Sequence, residues 1–97
     1  MATRSTIKVE GVNYAKIYKH YDGYPSEMMP WLEEFNKNFV KKRGIDSEYK
    51  FAQVLRDSIK IDNSEYTGWG VISFNSNAGE DYEYILKNDG TVICNET

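Results

Sequence analysis

The residues with the most chemical scope in this 97-residue sequence lie in one phrase, His20-Tyr21-Asp22-Gly23-Tyr24-Pro25. It gathers an imidazole that titrates near neutral pH, a carboxylate and the Tyr21 and Tyr24 phenols. Such a group can bind a polar ligand or, at the limit, move a proton. Arg4 joins it if the N-terminal segment folds back, adding a fork of donors suited to an anion. Tyr18 and Tyr24 then offer faces for stacking. The same residues can also make a purely structural corner, with Asp22 accepting from turn amides and pairing with Arg4. Other chemistry is thinly represented. Cys94 is the single cysteine and lies far along the chain from the single histidine. Ser5 falls on the strand face opposite His20. Glu33-Glu34 reads as solvated helix surface. His20 and Asp22 are too few ligands for a metal site. Gly68-Trp69-Gly70 lacks the fingerprint of a phosphate loop, and its glycines read as relief for crowding around Trp69. No cofactor is implied.

A second cluster is acidic: Glu80, Asp81, Tyr82, Glu83, Tyr84 and Asp89. Residues 61–97 carry Asp62, Glu65, Glu80, Asp81, Glu83, Asp89 and Glu96 against Lys87, whereas residues 1–20 carry Arg4, Lys8, Lys16 and Lys19 against Glu10. The acidic third repels phosphates and attracts a basic protein surface, so direct nucleic-acid binding is not expected. Tyrosine-bearing and acidic, it reads either as a contact surface for a basic groove or as a sheet edge kept soluble by charge.

These residues need elements to position them. Residues 3–10 and 14–21 alternate and are rich in β-branched types, so they read as strands of a hairpin across Gly11-Val12-Asn13. A three-residue loop, with Asn13 in the left-handed conformation, puts Ile7 opposite Ile17 and Val9 opposite Ala15 on one buried face. Arg4 then lies across from His20, Thr6 from Tyr18 and Lys8 from Lys16. The Lys8–Lys16 pair is a small cost, relieved if Glu10 lies diagonal to Lys16. Gly23 reads as a positive-φ position, and Pro25 holds Tyr24 extended. Ser26 is the expected N-cap, with the regular helix starting at Met29 or Pro30. Met28, Trp31, Leu32, Phe35, Phe39 and Val40 recur at helical spacing before Gly44 ends the helix. Asp46 or Ser47 opens a second helix whose buried face is Phe51, Val54, Leu55 and Ile59. Asp62-Asn63-Ser64 reads as a loop. Residues 68–76, 81–87 and 91–94 read as strands, the last two joined by an Asn88-Asp89-Gly90 turn. The expectation is one α+β domain over residues 1–97, ββααβββ, an antiparallel sheet with two helices on one face and tyrosines, His20 and charges on the other.

Hydrophobic residues at 40% and charged residues at 28% match an ordinary globular domain rather than a disordered one. No apolar run approaches the roughly 18 residues of a membrane span. The first residues lack the apolar core of a secretory signal, and a lone cysteine fits a reducing compartment, so a cytoplasmic location is expected. With tyrosine in excess and little room for a core, a homodimer is compatible with the sequence.

Thr3-Arg4-Ser5-Thr6-Ile7 and Ile17-Tyr18-Lys19-His20-Tyr21-Asp22-Gly23-Tyr24-Pro25 together resemble a group of short phage and prophage proteins. These open on Thr-Arg-Ser or Thr-Arg-Ala and carry a His-Trp-Asp-Gly-Tyr phrase roughly a dozen residues later. Here Tyr21 stands in the tryptophan position, and the resemblance covers about the first 40 residues. It implies a mobile-element origin and action in the cytoplasm of a bacterial host. Small phage accessory proteins of this size often inhibit host defence by binding, anti-CRISPR proteins among them. The resulting expectation is a non-enzymatic inhibitor contacting a host protein, such as a nucleic-acid-handling defence complex. Its contact residues would be Glu80, Asp81, Tyr82 and Glu83, with Arg4, Tyr18, His20, Asp22 and Tyr24 as a second patch. The alternatives are a binder of a small nucleotide-like signal through Arg4, Tyr18, His20 and Tyr24, and a small hydrolase built on His20 and Asp22.

Overall fold

The computed structural model describes residues 3–61 and 68–97; the Asp62-Asn63-Ser64 loop lies outside them. The element order is β1 (Ser5–Val9), β2 (Ala15–Lys19), α1 (Pro25–Arg43), α2 (Ser47–Ile61), β3 (Trp69–Ser73), β4 (Tyr82–Leu86) and β5 (Val92–Glu96). The α+β class and the ββααβββ order therefore follow the sequence reading.

The opening hairpin has the register that its alternation dictates, with Ser5 opposite Lys19, Thr6 opposite Tyr18 and Ile7 opposite Ile17. Its turn differs from expectation. Gly11 (φ 98°), not Asn13, takes the left-handed conformation, in a turn closed by the Val12 amide donating to the Val9 carbonyl at 3.0 Å. A side chain at Gly11 would also collide with Ser47 at the start of α2. Val12 consequently turns inward and is buried.

Pairing across the rest of the sheet corrects the all-antiparallel expectation. The strand order is β3-β2-β1-β4-β5, with β1 and β4 parallel and the other neighbours antiparallel. Tyr84 and Leu86 lie beside Ile7 and Val9, so β4 brings its buried side chains against the buried ones of the central strand β1. The last three strands are thus not a meander: β3 sits at the far edge, beside β2.

That order forces residues 74–81 to travel from one edge of the sheet to the other side of β1. They do so as a strap over the face that Thr6, Lys8 and Lys16 share. The Lys16 ammonium donates to the Ser76 carbonyl at 2.8 Å and lies 4.0 Å from the Glu80 carboxylate. Lys8 sits 4.5 Å from the Phe74 ring centroid and pairs with Glu83 at 2.9 Å. The like charges of Lys8 and Lys16 are therefore drawn apart by separate partners, and Glu10 is used elsewhere. The outer face is not an open display of tyrosines and charges, because Thr6 and Lys16 are buried there.

The core lies on the other face. Ile7, Val9, Ile17, Tyr84 and Leu86 meet Met28 and Leu32 of α1 and Val54 of α2. Each such buried side chain contributes roughly 1.5–3 kcal/mol of transfer free energy. Helix α1 starts earlier than expected: Tyr24 (φ −75°, ψ 155°) is the N-cap and Pro25 the first helical residue, so Ser26 is no cap. Proline needs no partner for its nitrogen there, and its ring fixes φ at a helical value. Gly44 closes the helix with its amide on the Val40 carbonyl at 2.9 Å. In α2 the inward stripe is Lys50, Val54 and Ser58, while Ile59 is 47% exposed, contrary to its expected burial. Ser58 tolerates burial because its hydroxyl donates to the Val54 carbonyl at 2.7 Å.

Candidate functional site

The two halves of the N-terminal motif meet, as the hairpin register requires, but mainly to build a corner. The Gly23 amide donates to the Thr3 carbonyl at 2.9 Å, and the buried Tyr84 hydroxyl donates to the Gly23 carbonyl at 2.6 Å. The positive φ expected at Gly23 is found at Asp22 instead (58°). Gly23 is needed for closeness, since a β-carbon there would stand 2.7 Å from the Ser5 Cβ and 3.0 Å from the Ser5 amide nitrogen. Thr-Arg-Ser and Asp-Gly are thus two sides of one backbone contact.

The polar residues of this motif are not gathered into a pocket. The Arg4 guanidinium extends to within 3.6 Å of the position a Gly79 β-carbon would take, beside the strap. The Tyr18 hydroxyl and His20 Nδ1 are hydrogen-bonded at 2.8 Å, and Tyr21 meets the imidazole edge-on. Among the described residues no hydrogen bond or ion pair joins Arg4 to His20 or Asp22, nor His20 to Asp22. The expected Arg4–Asp22 pair is absent, and the hydrolase reading loses its base–orienter contact. Tyr24 is exposed at the N-cap of α1. Gly68 makes room for the Tyr21 ring rather than for Trp69, while Gly70 has open space around it.

The acidic cluster is largely used internally. Tyr84 is buried, Tyr82 packs against the core, Glu83 pairs with Lys8, and Glu80 sits over Lys16. Asp81 accepts from the Arg4 amide at 3.2 Å, and Asp89 caps its own turn through Thr91. The Thr91 hydrogen bonds favour the charged form of Asp89 and hold its pKa below the usual carboxylate range. The Cys94 thiol, half-buried, is pushed up by burial, which keeps it protonated at neutral pH.

Two buried polar residues escaped the sequence reading. Asn36 of α1 donates to the Lys87 and Thr91 carbonyls at 3.0 and 2.8 Å, and Lys50 of α2 donates to the Lys87 carbonyl at 3.3 Å. Together they tie both helices to the β4–β5 turn, while Glu10 accepts from the Asn88 amide at 2.7 Å. Burial lowers the Lys50 pKa, against the smaller opposing pull of Glu10 and Asp89. Between that lowered value and the ordinary 10.5, the unfolded chain holds a proton that the folded chain has lost. Stability therefore rises with pH through this interval. Above pH 10 Tyr84 acts oppositely, because burial keeps its phenol protonated in the fold after the unfolded chain has ionised. Lys50→Met should stabilise the protein at pH 7 by about 1 kcal/mol and flatten the rise. Urea midpoints at pH 7, 9 and 10 measure both; an unchanged slope would remove Lys50 as its source.

A groove of about 620 Å³ lies between α1 and α2. Trp31, Phe35 and Phe39, spaced by one turn on α1, line it together with Tyr49 of α2. Phe35 and Phe39 stack at 5.9 Å between centroids, Tyr49 lies 6.0 Å from Phe39, and Trp31 meets Trp69 edge-on at 6.1 Å. Lys42, Arg43, Arg56 and Lys60 line it among the rings, with Glu34 and Asp57. Arg43 caps the Tyr49 face at 4.3 Å.

No family model, curated protein or solved structure matches this chain. Among the described residues no group of histidine, cysteine and carboxylates could hold a metal ion, and no helix is long and apolar enough to cross a membrane. The groove presents rings and cations without a nucleophile–base pair, an arrangement suited to holding a partner. In the sequence Trp31, Phe35 and Phe39 show only helical spacing, which does not say what they face. The signal available was their excess: Trp31, Phe35 and Phe39 form a second stripe one position from the buried Leu32 and Asn36.

Proposed function

We propose that this protein acts by binding, as a small phage-type accessory protein that inhibits a host defence system through protein–protein contact in the bacterial cytoplasm. The N-terminal motif supports the mobile-element origin. The observation that carries the binding reading is the aromatic groove between α1 and α2, where Tyr49 is 42% exposed beside the half-buried rings of Trp31 and Phe35, with Phe39 buried at the floor. Aromatic and arginine side chains at the centre of a contact supply most of its binding energy. The acidic strand residues support the contact less well, since Glu80 and Glu83 already face lysines of the same chain. The Arg4–Asp81 end, with Thr3 and Glu96, forms a smaller polar pocket, which of the expected second patch holds Arg4 but not Tyr18, His20, Asp22 or Tyr24.

The test is affinity purification of the full chain from a bacterial host carrying a nucleic-acid-targeting defence system. A host subunit in fixed stoichiometry is expected. The double variant Tyr49→Ala/Lys42→Glu, confined to exposed side chains, should weaken that complex at least about tenfold, or about 1.4 kcal/mol, at an unchanged melting temperature. Undiminished binding by this variant, with loss in Glu80→Lys/Asp81→Lys, would move the contact to the sheet. Absence of any stoichiometric partner would defeat the inhibitor reading.

A further inference from the structure

We infer that the α1–α2 groove receives an acidic amphipathic helix of the partner, an inference that rests on the groove being the docking face. The floor has the form such a guest needs. Trp31, Phe35 and Phe39 lie at successive turns of one helix, a stripe about 12 Å long at 1.5 Å per residue. Ridges of a guest helix, with apolar residues at i, i+3 or i+4 and i+7, fit against such a stripe and the facing Tyr49.

Charge decides the guest. Arg43 is paired with Asp46 at 3.3 Å and Arg56 with Asp57 at 3.1 Å. Lys42 and Lys60 also line the groove, and among the described residues neither makes an ion pair. Phe39 meets Tyr49, so the end of α1 lies against the start of α2, and Lys42 and Lys60 belong to opposite ends of the groove. A helix with carboxylates toward both ends of an apolar stripe satisfies both lysines. From Trp31 to Lys42 the groove wall runs about 16 Å, which is three turns of guest.

Other occupants fit less well. A nucleic-acid strand would lay an unbroken row of phosphates past Glu34 and Asp57, on a chain whose net charge is −3. A second copy docked symmetrically by this face would bring the same lysine-rich rims together.

The sequence holds two tryptophans, Trp31 in the groove and Trp69 against it, so intrinsic fluorescence of the full chain reports occupancy. The probes are a helical peptide of about three turns with leucines at i, i+3, i+4 and i+7 and flanking glutamates, its lysine-for-glutamate counterpart, and an oligothymidylate. The acidic peptide alone should bind, with a micromolar Kd that rises about tenfold from low to high salt. Lys42→Glu/Lys60→Glu should weaken it at least about tenfold and admit the lysine peptide instead, with the melting temperature unchanged. Preference for oligothymidylate, equal binding of both peptides, or indifference to the lysine reversals would overturn the inference. If no peptide binds while the purified host complex still depends on Tyr49 and Lys42, the acidic-helix inference falls and the docking groove stands. If the host complex ignores the groove, the docking reading itself falls.

Discussion

The expected result of Gly23→Ala is a loss of about 3 kcal/mol of stability, seen as a melting temperature lower by roughly 15 °C. The added methyl would sit 2.5–2.7 Å from the Ser5 side chain and 3.0 Å from its amide nitrogen. A flexible side chain could step aside, but these are the Cβ and backbone of a residue wholly buried in β1. Relief requires separating the corner from the strand, which breaks the Thr3–Gly23 backbone hydrogen bond and takes the Gly23 carbonyl from the Tyr84 hydroxyl. Gly70→Ala is the control: nothing lies within 4 Å of the new methyl and no positive φ is involved. That variant should be neutral or stabilising by about 0.5 kcal/mol, since alanine loses less backbone entropy on folding. Tyr84→Phe should cost about 1–2 kcal/mol by leaving a buried carbonyl without its donor. Thermal melts of the three variants check the corner. Equal melting temperatures for Gly23→Ala and Gly70→Ala would show that the close approach is not a constraint.

The second large effect is expected at Asn36. Its amide is fully buried and spends both hydrogens on carbonyls of the β4–β5 turn. Asn36→Ala removes both bonds and leaves a small void, at a cost of about 2–3 kcal/mol. The cost stops there because the carbonyls keep other donors: Gly90 and Lys50 on Lys87, and the Lys87 amide on Thr91. Asn36→Asp has nearly the same shape but sets a carboxylate against two carbonyl oxygens, and should cost roughly 4 kcal/mol at pH 7. Burial would raise the folded pKa of that carboxyl above its unfolded value. The fold would then bind a proton more tightly, so stability would return as pH falls through the raised value. Chemical denaturation at pH 7 and pH 5 separates the two variants. A larger loss for alanine than for aspartate would argue that Asn36 fills space rather than donates.

Much of the local structure was legible because it follows from periodicity. Alternation in residues 3–10 and 14–21 fixed the hairpin register, since a slip by one residue would turn Ile7 and Ile17 outward. The apolar spacing of Met28, Leu32 and Phe39, the terminal Gly44 and the Asn88-Asp89-Gly90 turn likewise describe themselves. The Thr-Arg-Ser and Asp-Gly phrases could be brought to one place by register alone. Their role could not, because the Gly23 carbonyl is held by the Tyr84 hydroxyl, which comes on a strand from the other end of the chain.

By itself, then, the amino-acid order determined the elements, their class and the two hairpins β1–β2 and β4–β5, because those depend on interactions over a few residues. Only the tertiary structure decided that β4 enters beside β1 in parallel, and that residues 74–81 therefore cross the outer face and bury Lys16. It also decided which polar groups go inside. Asn36 and Lys50 are polar residues on helices until a distant turn supplies the carbonyls that make their burial affordable. The groove belongs to the same category: Trp31 and Phe35 have the spacing of core residues, and only the placement of α2 leaves them lining an open surface. The physical reason is common to all three. Short-range periodicity selects which face of an element is apolar, whereas what meets that face is set by contacts between segments far apart in the chain.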